Sequence, residues 1–135
     1  MRPFEYVSPA SVDDAIALIG QNGHDRDRRI RPLAGGTDLL TLMKADIAAP
    51  SRLLNIKRLS GLPSGIEDTS QGLSIGALAT LTEIETYSVI QQRYPVLAQA
   101  AAVAATPQLR NMATLGGNLL QRPRCWYFRN WRLDC

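Results

Sequence analysis

Two double-glycine segments constrain the fold of this chain more than any other feature. We call residues 34–38 (Ala-Gly-Gly-Thr-Asp) the first glycine loop and residues 114–118 (Thr-Leu-Gly-Gly-Asn) the second glycine loop. Glycine has no Cβ, so paired glycines let backbone N–H groups turn toward a ligand and approach it closely. Neither loop completes a Gly-x-Gly-x-x-Gly or Walker A motif, and each alone is a weak signal, usually a plain turn. Together, the two loops can donate N–H groups to one pyrophosphate from two sides.

The residues around the first glycine loop predict a small parallel sheet with packed helices. Strands are expected at 4–7, 30–34 and 52–56. Helices are expected between them, one that Ser11 caps and that Gly20 or Gly23 ends, and one at 37–44. A strand, a glycine turn and a helix in this order can bind a phosphate, because free N–H groups and the helix dipole face the turn. A carboxylate beside a pyrophosphate would repel it, so we expect Asp38 to cap its own helix or to bond a ligand hydroxyl.

The pattern changes after the third strand. Residues 66–77 predict a hairpin, and the Thr-x-x-Glu pattern of Thr82 and Glu85 resembles a capping box that opens a helix. Residues 96–105 are apolar nearly all round, which predicts a buried helix that Pro107 ends. We therefore divide the chain into residues 1–56, 57–121 and 122–135.

Charge and composition argue against several classes of function. A net charge of +3 over 135 residues is mildly basic, and no nucleic-acid motif accompanies the arginine clusters, so we predict no nucleic-acid partner. The chain opens on no signal peptide, and no apolar run reaches the ~20 residues that span a bilayer, so we predict no membrane span and a cytoplasmic location. His24, the single histidine, is expected in a polar loop, and no side chain suggests itself as a catalytic acid or base.

Three segments resemble one known family when they are taken together. Residues 33–39, 74–84 and 110–119 stand in the order found in the FAD-binding, medium subunit of the molybdenum hydroxylases, the xanthine dehydrogenase family. The resemblance implies an α+β fold, the two-subdomain FAD-binding domain of the vanillyl-alcohol oxidase type, present here as an N-terminal fragment. It also implies that the backbone of the two glycine loops binds the FAD pyrophosphate from two sides. The implied cofactor-binding residues are Leu33, Ala34, Gly35, Gly36, Thr37, Asp38, Leu39, Ala77, Thr114, Gly116, Gly117 and Asn118.

The function implied by the resemblance is electron transfer. Such a subunit passes electrons from iron–sulfur clusters to FAD and on to an external acceptor, and it assembles with a molybdenum-cofactor subunit and a [2Fe–2S] subunit. Export with a partner subunit would place the protein in the periplasm instead. The alternative is a truncated, non-catalytic remnant or interaction module that binds FAD weakly or not at all.

The end of the chain carries a second resemblance. Residues 119–129 are similar to the branch of this family that holds an extra [4Fe–4S] cluster, as in aldehyde oxidoreductase, and this implies that Cys125 and Cys135 are cluster ligands. We call residues 122–135 the cysteine tail and expect it to be the start of an iron–sulfur segment. Nearby arginines would offset the cluster charge, and aromatic packing would limit solvent access. A cluster normally takes four protein ligands, so the site is incomplete in this chain; two free thiols and a zinc site shared with another chain remain alternatives.

Overall fold

The computed structural model describes residues 1–21, 29–130 and 132–133. The chain divides into two units, residues 1–61 with 121–135, and residues 62–120. Each glycine loop lies in a different unit, and the cysteine tail belongs to the first.

A three-stranded parallel sheet forms the centre of the first unit. The strands β1 (Glu5–Val7), β2 (Ile30–Leu33) and β3 (Arg52–Asn55) lie in the order β1-β3-β2. The helices α1 (Val12–Gly20) and α2 (Leu39–Lys44) stand between them in the chain, as parallel crossovers require. Leu53 and Leu54 on the central strand are buried, which places the core of the unit at β3. The predicted β-α-β-α-β order is confirmed.

The starts of the two helices differ in how well the sequence predicted them. Ser11 caps α1 as expected, since its hydroxyl oxygen accepts a hydrogen bond from the Asp14 amide at 3.1 Å. Helix α2 begins at Leu39 rather than at residue 37, and Asp38 has helical backbone angles and makes no capping hydrogen bond. The expectation that Asp38 caps its helix is therefore wrong, because its carboxylate is used elsewhere, as described below.

The second unit consists of a hairpin and a group of short helices. Strands β4 (Ile66–Thr69) and β5 (Gly72–Ile75) pair antiparallel, which confirms the predicted hairpin. The helices that follow are α3 (Leu81–Thr86), α4 (Ser88–Arg93), α5 (Pro95–Val103), α6 (Pro107–Arg110) and α7 (Leu115–Leu119). Their shared core contains Leu81, Ile84, Ile90, Ala98, Ala101 and Ala113.

Two predictions for this unit were wrong in detail. The capping box that opens α3 is formed by Thr80 and Glu83, two residues before the predicted pair. Helix α5 is buried only at Ala98 and Ala101, whereas Val96 and Val103 are 77% and 84% exposed. Helix α5 also ends at Val103, before the proline at 107, which instead starts α6, because proline fits the first turn of a helix.

Across the described residues, none of the helices has the length and apolar character needed to cross a membrane.

Candidate functional site

The first glycine loop follows the carboxyl end of β2, the end at which parallel sheets bind ligands. Gly36 has φ +75°, a conformation that side chains rarely adopt. A Cβ on Gly36 would also lie 3.0 Å from Leu40 Cδ1 and 3.2 Å from Leu33 Cδ1. The backbone conformation therefore favours glycine at this position, and the packing leaves little room for a Cβ unless the two leucine side chains shift.

In the first glycine loop, carbonyl groups form hydrogen bonds to described residues but the amides of residues 35–38 do not. The carbonyls of Gly36 and Asp38 accept hydrogen bonds from the amides of Leu40 and Leu42, both at 3.0 Å. The amides of residues 35–38, by contrast, donate to no acceptor within the described part of the chain. These four residues are partly buried. Unpaired N–H groups in a turn that contains a positive φ form an anion-binding concavity, so this loop can hold a phosphate.

Two basic side chains lie at the first loop, and the sequence pattern indicated neither of them. Arg129 Nη2 donates to Asp38 Oδ1 at 2.6 Å, and each of these side chains is 17% exposed. Lys57 follows the carboxyl end of β3, and its Nζ lies 3.5 Å from the carbonyl oxygen of Ala34. The ion pair neutralises the one carboxylate of the loop, which removes the electrostatic objection to a pyrophosphate there.

The second glycine loop is not a loop in the structure. Thr114 is the N-cap of α7, and its hydroxyl oxygen accepts a hydrogen bond from the Gly117 amide at 3.2 Å. The amides of Leu115, Gly116 and Asn118 also donate, at 2.8, 2.9 and 2.8 Å, to the carbonyls of Ala79, Ala77 and Thr114. The prediction that this segment presents free N–H groups to a ligand is therefore wrong, because its amides from 115 to 118 are used inside the second unit.

Close packing explains the first glycine of this segment. A Cβ on Gly116 would lie 3.0 Å from the carbonyl oxygen of Ala77 and 3.2 Å from its Cβ. The structure thus brings Ala77, Thr114, Gly116 and Gly117 together, four of the residues that the resemblance named. Gly117 is exposed, and the half-buried Asn118 side chain makes no hydrogen bond to a described residue, so its carboxamide is open to a ligand.

Arg110 precedes the second glycine segment and organises the second unit. Its guanidinium pairs with Glu85 through two hydrogen bonds, of 2.8 and 3.3 Å, and it donates to the carbonyls of Ala102 and Ala105 at 2.7 and 2.6 Å. One side chain therefore joins α3, the end of α5 and α6. In the sequence, Arg110 lies within the motif of residues 110–119, but nothing in that pattern indicates this structural role.

The cysteine tail does not form a complete metal site within the described residues. Cys125 is a free, exposed thiol, and Cys135 lies outside the described residues. The described part of the chain contains no group of three or more His, Cys, Asp and Glu side chains that could hold a metal ion. Trp126 and Tyr127 are 90% and 67% exposed in the described part of the chain. That aromatic packing limits solvent access to a cluster stays a prediction. A [4Fe–4S] cluster does not fit the described residues by themselves.

Comparison with known proteins places this geometry in a family. The family described as "FAD binding domain in molybdopterin dehydrogenase" matches residues 2–125. The chain belongs to this family. Its α+β fold is similar to that of a carbon monoxide dehydrogenase from Hydrogenophaga pseudoflava, whose solved structure lacks the Mo-pyranopterin moiety. The TM-score is 0.77 and the sequence identity is 40%. The matched region covers 88% of this chain and 40% of the other chain. The predicted fold class is confirmed.

Two curated relatives show how much of the family the chain represents. It is 40% identical over 116 residues to the carbon monoxide dehydrogenase medium chain of H. pseudoflava, which is 86% of this chain and 39% of the relative. It is 43% identical over 103 residues to the aldehyde oxidoreductase FAD-binding subunit PaoB of Escherichia coli K12, 76% of this chain and 32% of that subunit. The chain thus spans about two-fifths or less of the length of these relatives.

Proposed function

We propose that this chain binds FAD as part of the flavin subunit of a molybdopterin-dependent dehydrogenase. The observation that carries the proposal is the set of unpaired amides at residues 35–38, held at the carboxyl end of a parallel strand in a member of an FAD-binding family. A flavin dinucleotide carries a pyrophosphate, whose oxygens are the acceptors that such amides lack. FAD, when bound, supplies the redox chemistry, and the protein supplies binding and orientation.

The residues of the first glycine loop have distinct roles in this proposal. Backbone groups of Ala34, Gly35, Gly36, Thr37 and Asp38 bind the pyrophosphate, and Leu33 and Leu39 hold the two ends of the loop against the core. We assign Lys57 a supporting role, since its ammonium group adds positive charge at the loop.

The second glycine segment contributes by a different means. We propose that Ala77, Thr114, Gly116, Gly117 and Asn118 also bind FAD, through the exposed surface of Gly117 and the open carboxamide of Asn118 rather than through free amides. This part of the proposal is supported by the sequence motif. The division of the chain into FAD-binding subdomains at 1–56 and 57–121 belongs to the same proposal.

The wider setting follows from the relatives. We propose that the protein assembles with a molybdenum-cofactor subunit and a [2Fe–2S] subunit, and that electrons pass from iron–sulfur clusters through FAD to an external acceptor. The relatives carry names such as carbon monoxide dehydrogenase and aldehyde oxidoreductase, which supports an oxidoreductase complex without giving the substrate.

The iron–sulfur part of the proposal rests on the tail motif. Residues 122–135 would begin a segment in which Cys125 and Cys135 ligate a [4Fe–4S] cluster, with the remaining ligands supplied from outside this chain, as four are needed. Iron and sulfide analysis of the chain, expressed alone and with partner subunits, tests this part. A Cys125→Ser variant that retains full iron in the complex would contradict it.

Ligand selectivity tests the FAD proposal. The flavin fluorescence of FAD and of riboflavin is followed while each is titrated with the protein, and ADP is added as a competitor. Recognition of the pyrophosphate predicts that FAD binds at least about tenfold tighter than riboflavin, which lacks phosphate, and that ADP displaces FAD. Equal affinity for FAD and riboflavin would contradict a pyrophosphate site. Absence of binding to either would favour the alternative, a module without redox function.

A further inference from the structure

The ion pair between Asp38 and Arg129 joins two features of the first unit that the proposed function treats separately. Asp38 lies in the first glycine loop, and Arg129 lies in the cysteine tail, 91 residues away in the sequence. The contact is 2.6 Å, and both side chains are 17% exposed, so it is far more enclosed than a typical surface pair.

The same guanidinium also organises the chain before Cys125. Arg129 Nε donates to the carbonyl of Pro123 at 3.1 Å, and Nη2 donates to the carbonyl of Arg122 at 3.4 Å. The Arg129 amide donates to the carbonyl of Cys125 at 3.0 Å. The Arg122 guanidinium stacks over the Phe128 ring at 4.7 Å, which closes the same turn. Residues 122–129 therefore form a folded turn whose hydrogen bonds converge on Arg129, and Asp38 is the partner of Arg129 outside the turn.

We infer that Arg129 is a positioning residue that docks the turn of residues 122–129 onto the first glycine loop and neutralises Asp38, so that the loop accepts an anionic ligand. This inference rests on the proposed function for its ligand, but the docking itself does not. Without Arg129, the Asp38 carboxylate stands unpaired beside the free amides of residues 35–38 and repels a pyrophosphate. With Arg129, the affinity of the loop for an anion depends on an ordered tail.

Limited proteolysis tests the docking without any cofactor. Asp38→Asn leaves the tail sequence unchanged, and we expect trypsin to cleave after Arg124 about tenfold faster in this variant, because the turn loses its charged partner. The control is Asp46→Asn, which removes the exposed Arg2–Asp46 pair of the same unit, at 3.2 Å, with the same change in charge. Equal cleavage rates in the two variants would overturn the inference. Circular dichroism verifies that both variants are folded.

Affinity for FAD tests the neutralisation. Arg129→Ala should weaken FAD binding by about tenfold, and the double variant Asp38→Asn/Arg129→Ala should return to within about twofold of the unaltered chain, because no unpaired carboxylate remains. A double variant as weak as Arg129→Ala would refute the charge argument, since a purely structural loss is not repaired by removing Asp38. If the unaltered chain binds no FAD, the proposed function fails for this chain, while the proteolysis result still decides the docking.

Discussion

Replacement of Arg110 by methionine should destabilise the second unit strongly. Arg110 is 11% exposed and supplies four hydrogen bonds, two to Glu85 and two to the backbone at the end of α5. Methionine keeps much of the side-chain volume and removes every donor. The substitution therefore leaves a partly buried carboxylate and two carbonyls without their partner.

The size of the effect follows from the exposure of the groups left behind. Breaking a fully buried ion pair costs about 3–5 kcal/mol, which is an upper limit here because Glu85 is 28% exposed and regains water. The carbonyls of Ala102 and Ala105 lose hydrogen bonds to a charged donor, which are worth about 1.5–3 kcal/mol each when intact and are replaced in part by water. Because water replaces part of both interactions, we expect a loss of about 2–3 kcal/mol in the free energy of unfolding.

Arg93 supplies a matched control in the same unit. It pairs with Asp68 through two contacts, of 2.7 and 2.8 Å, but the side chains are 51% and 34% exposed. Arg93→Met should therefore cost no more than about 1 kcal/mol. Urea unfolding followed by far-ultraviolet circular dichroism measures both variants. With a slope of about 1.5 kcal/mol per molar urea, Arg110→Met shifts the midpoint by about 1.3–2 M.

Two results would show that Arg110 does not stabilise the second unit in this way. One is an Arg110→Met variant no less stable than Arg93→Met. The other comes from the double variant Glu85→Gln/Arg110→Met. We expect this variant to recover part of the lost stability, because the unpaired carboxylate of Glu85 is gone. A double variant less stable than Arg110→Met alone would show that the carboxylate is not the source of the cost.

Three further substitutions test the two glycine segments. Gly36→Ala should lower the free energy of unfolding by about 2 kcal/mol and weaken FAD binding, because the new Cβ stands at a positive φ and contacts two leucines. The control Gly20→Ala, which has open space around it, should change the thermal midpoint little. Gly116→Ala should cost about 1–3 kcal/mol in urea unfolding, because the added Cβ meets the Ala77 carbonyl at 3.0 Å, and an unchanged midpoint would argue against this packing. Lys57→Met should weaken FAD binding about threefold with no effect on the unfolding midpoint, measured by flavin fluorescence, and unaltered affinity would remove Lys57 from the site.

The sequence predicted the first unit well because its signals are local. Short apolar runs separated by a capped helix and a glycine turn specify β1, β2 and β3 with little help from distant residues. The burial of Leu53 and Leu54 on a central parallel strand follows from the same pattern. The Ser11 cap was predictable because it uses an amide only three residues away.

The errors in the second unit have physical causes. Two Thr-x-x-Glu patterns overlap there, starting at Thr80 and Thr82, and only the backbone conformation at Thr80 selects the first. Because α5 is apolar nearly all round, its sequence does not distinguish the face that packs from the face that is exposed. The exposure of Val96 and Val103 therefore depends on what packs beside Ala98 and Ala101.

The candidate site was predictable in its residues but not in its hydrogen bonds. The motif pointed to both glycine segments, yet only the structure shows that the amides of residues 35–38 have no acceptor among the described residues, whereas the Gly116 amide donates to the Ala77 carbonyl. Those partners are distant in sequence, and the same holds for the Asp38–Arg129 ion pair. Composition and spacing contain no information about such pairs.

The proposed function requires that the amides of residues 35–38 in the first glycine loop bind the pyrophosphate of FAD. The most direct measurement is a titration of the uniformly 15N-labelled chain with FAD, followed by two-dimensional 1H–15N correlation spectra, with riboflavin as the comparison ligand. We expect the amide resonances of residues 35–38 to shift with FAD and to remain in place with riboflavin. Binding of FAD that leaves these four resonances unmoved would contradict the proposed function.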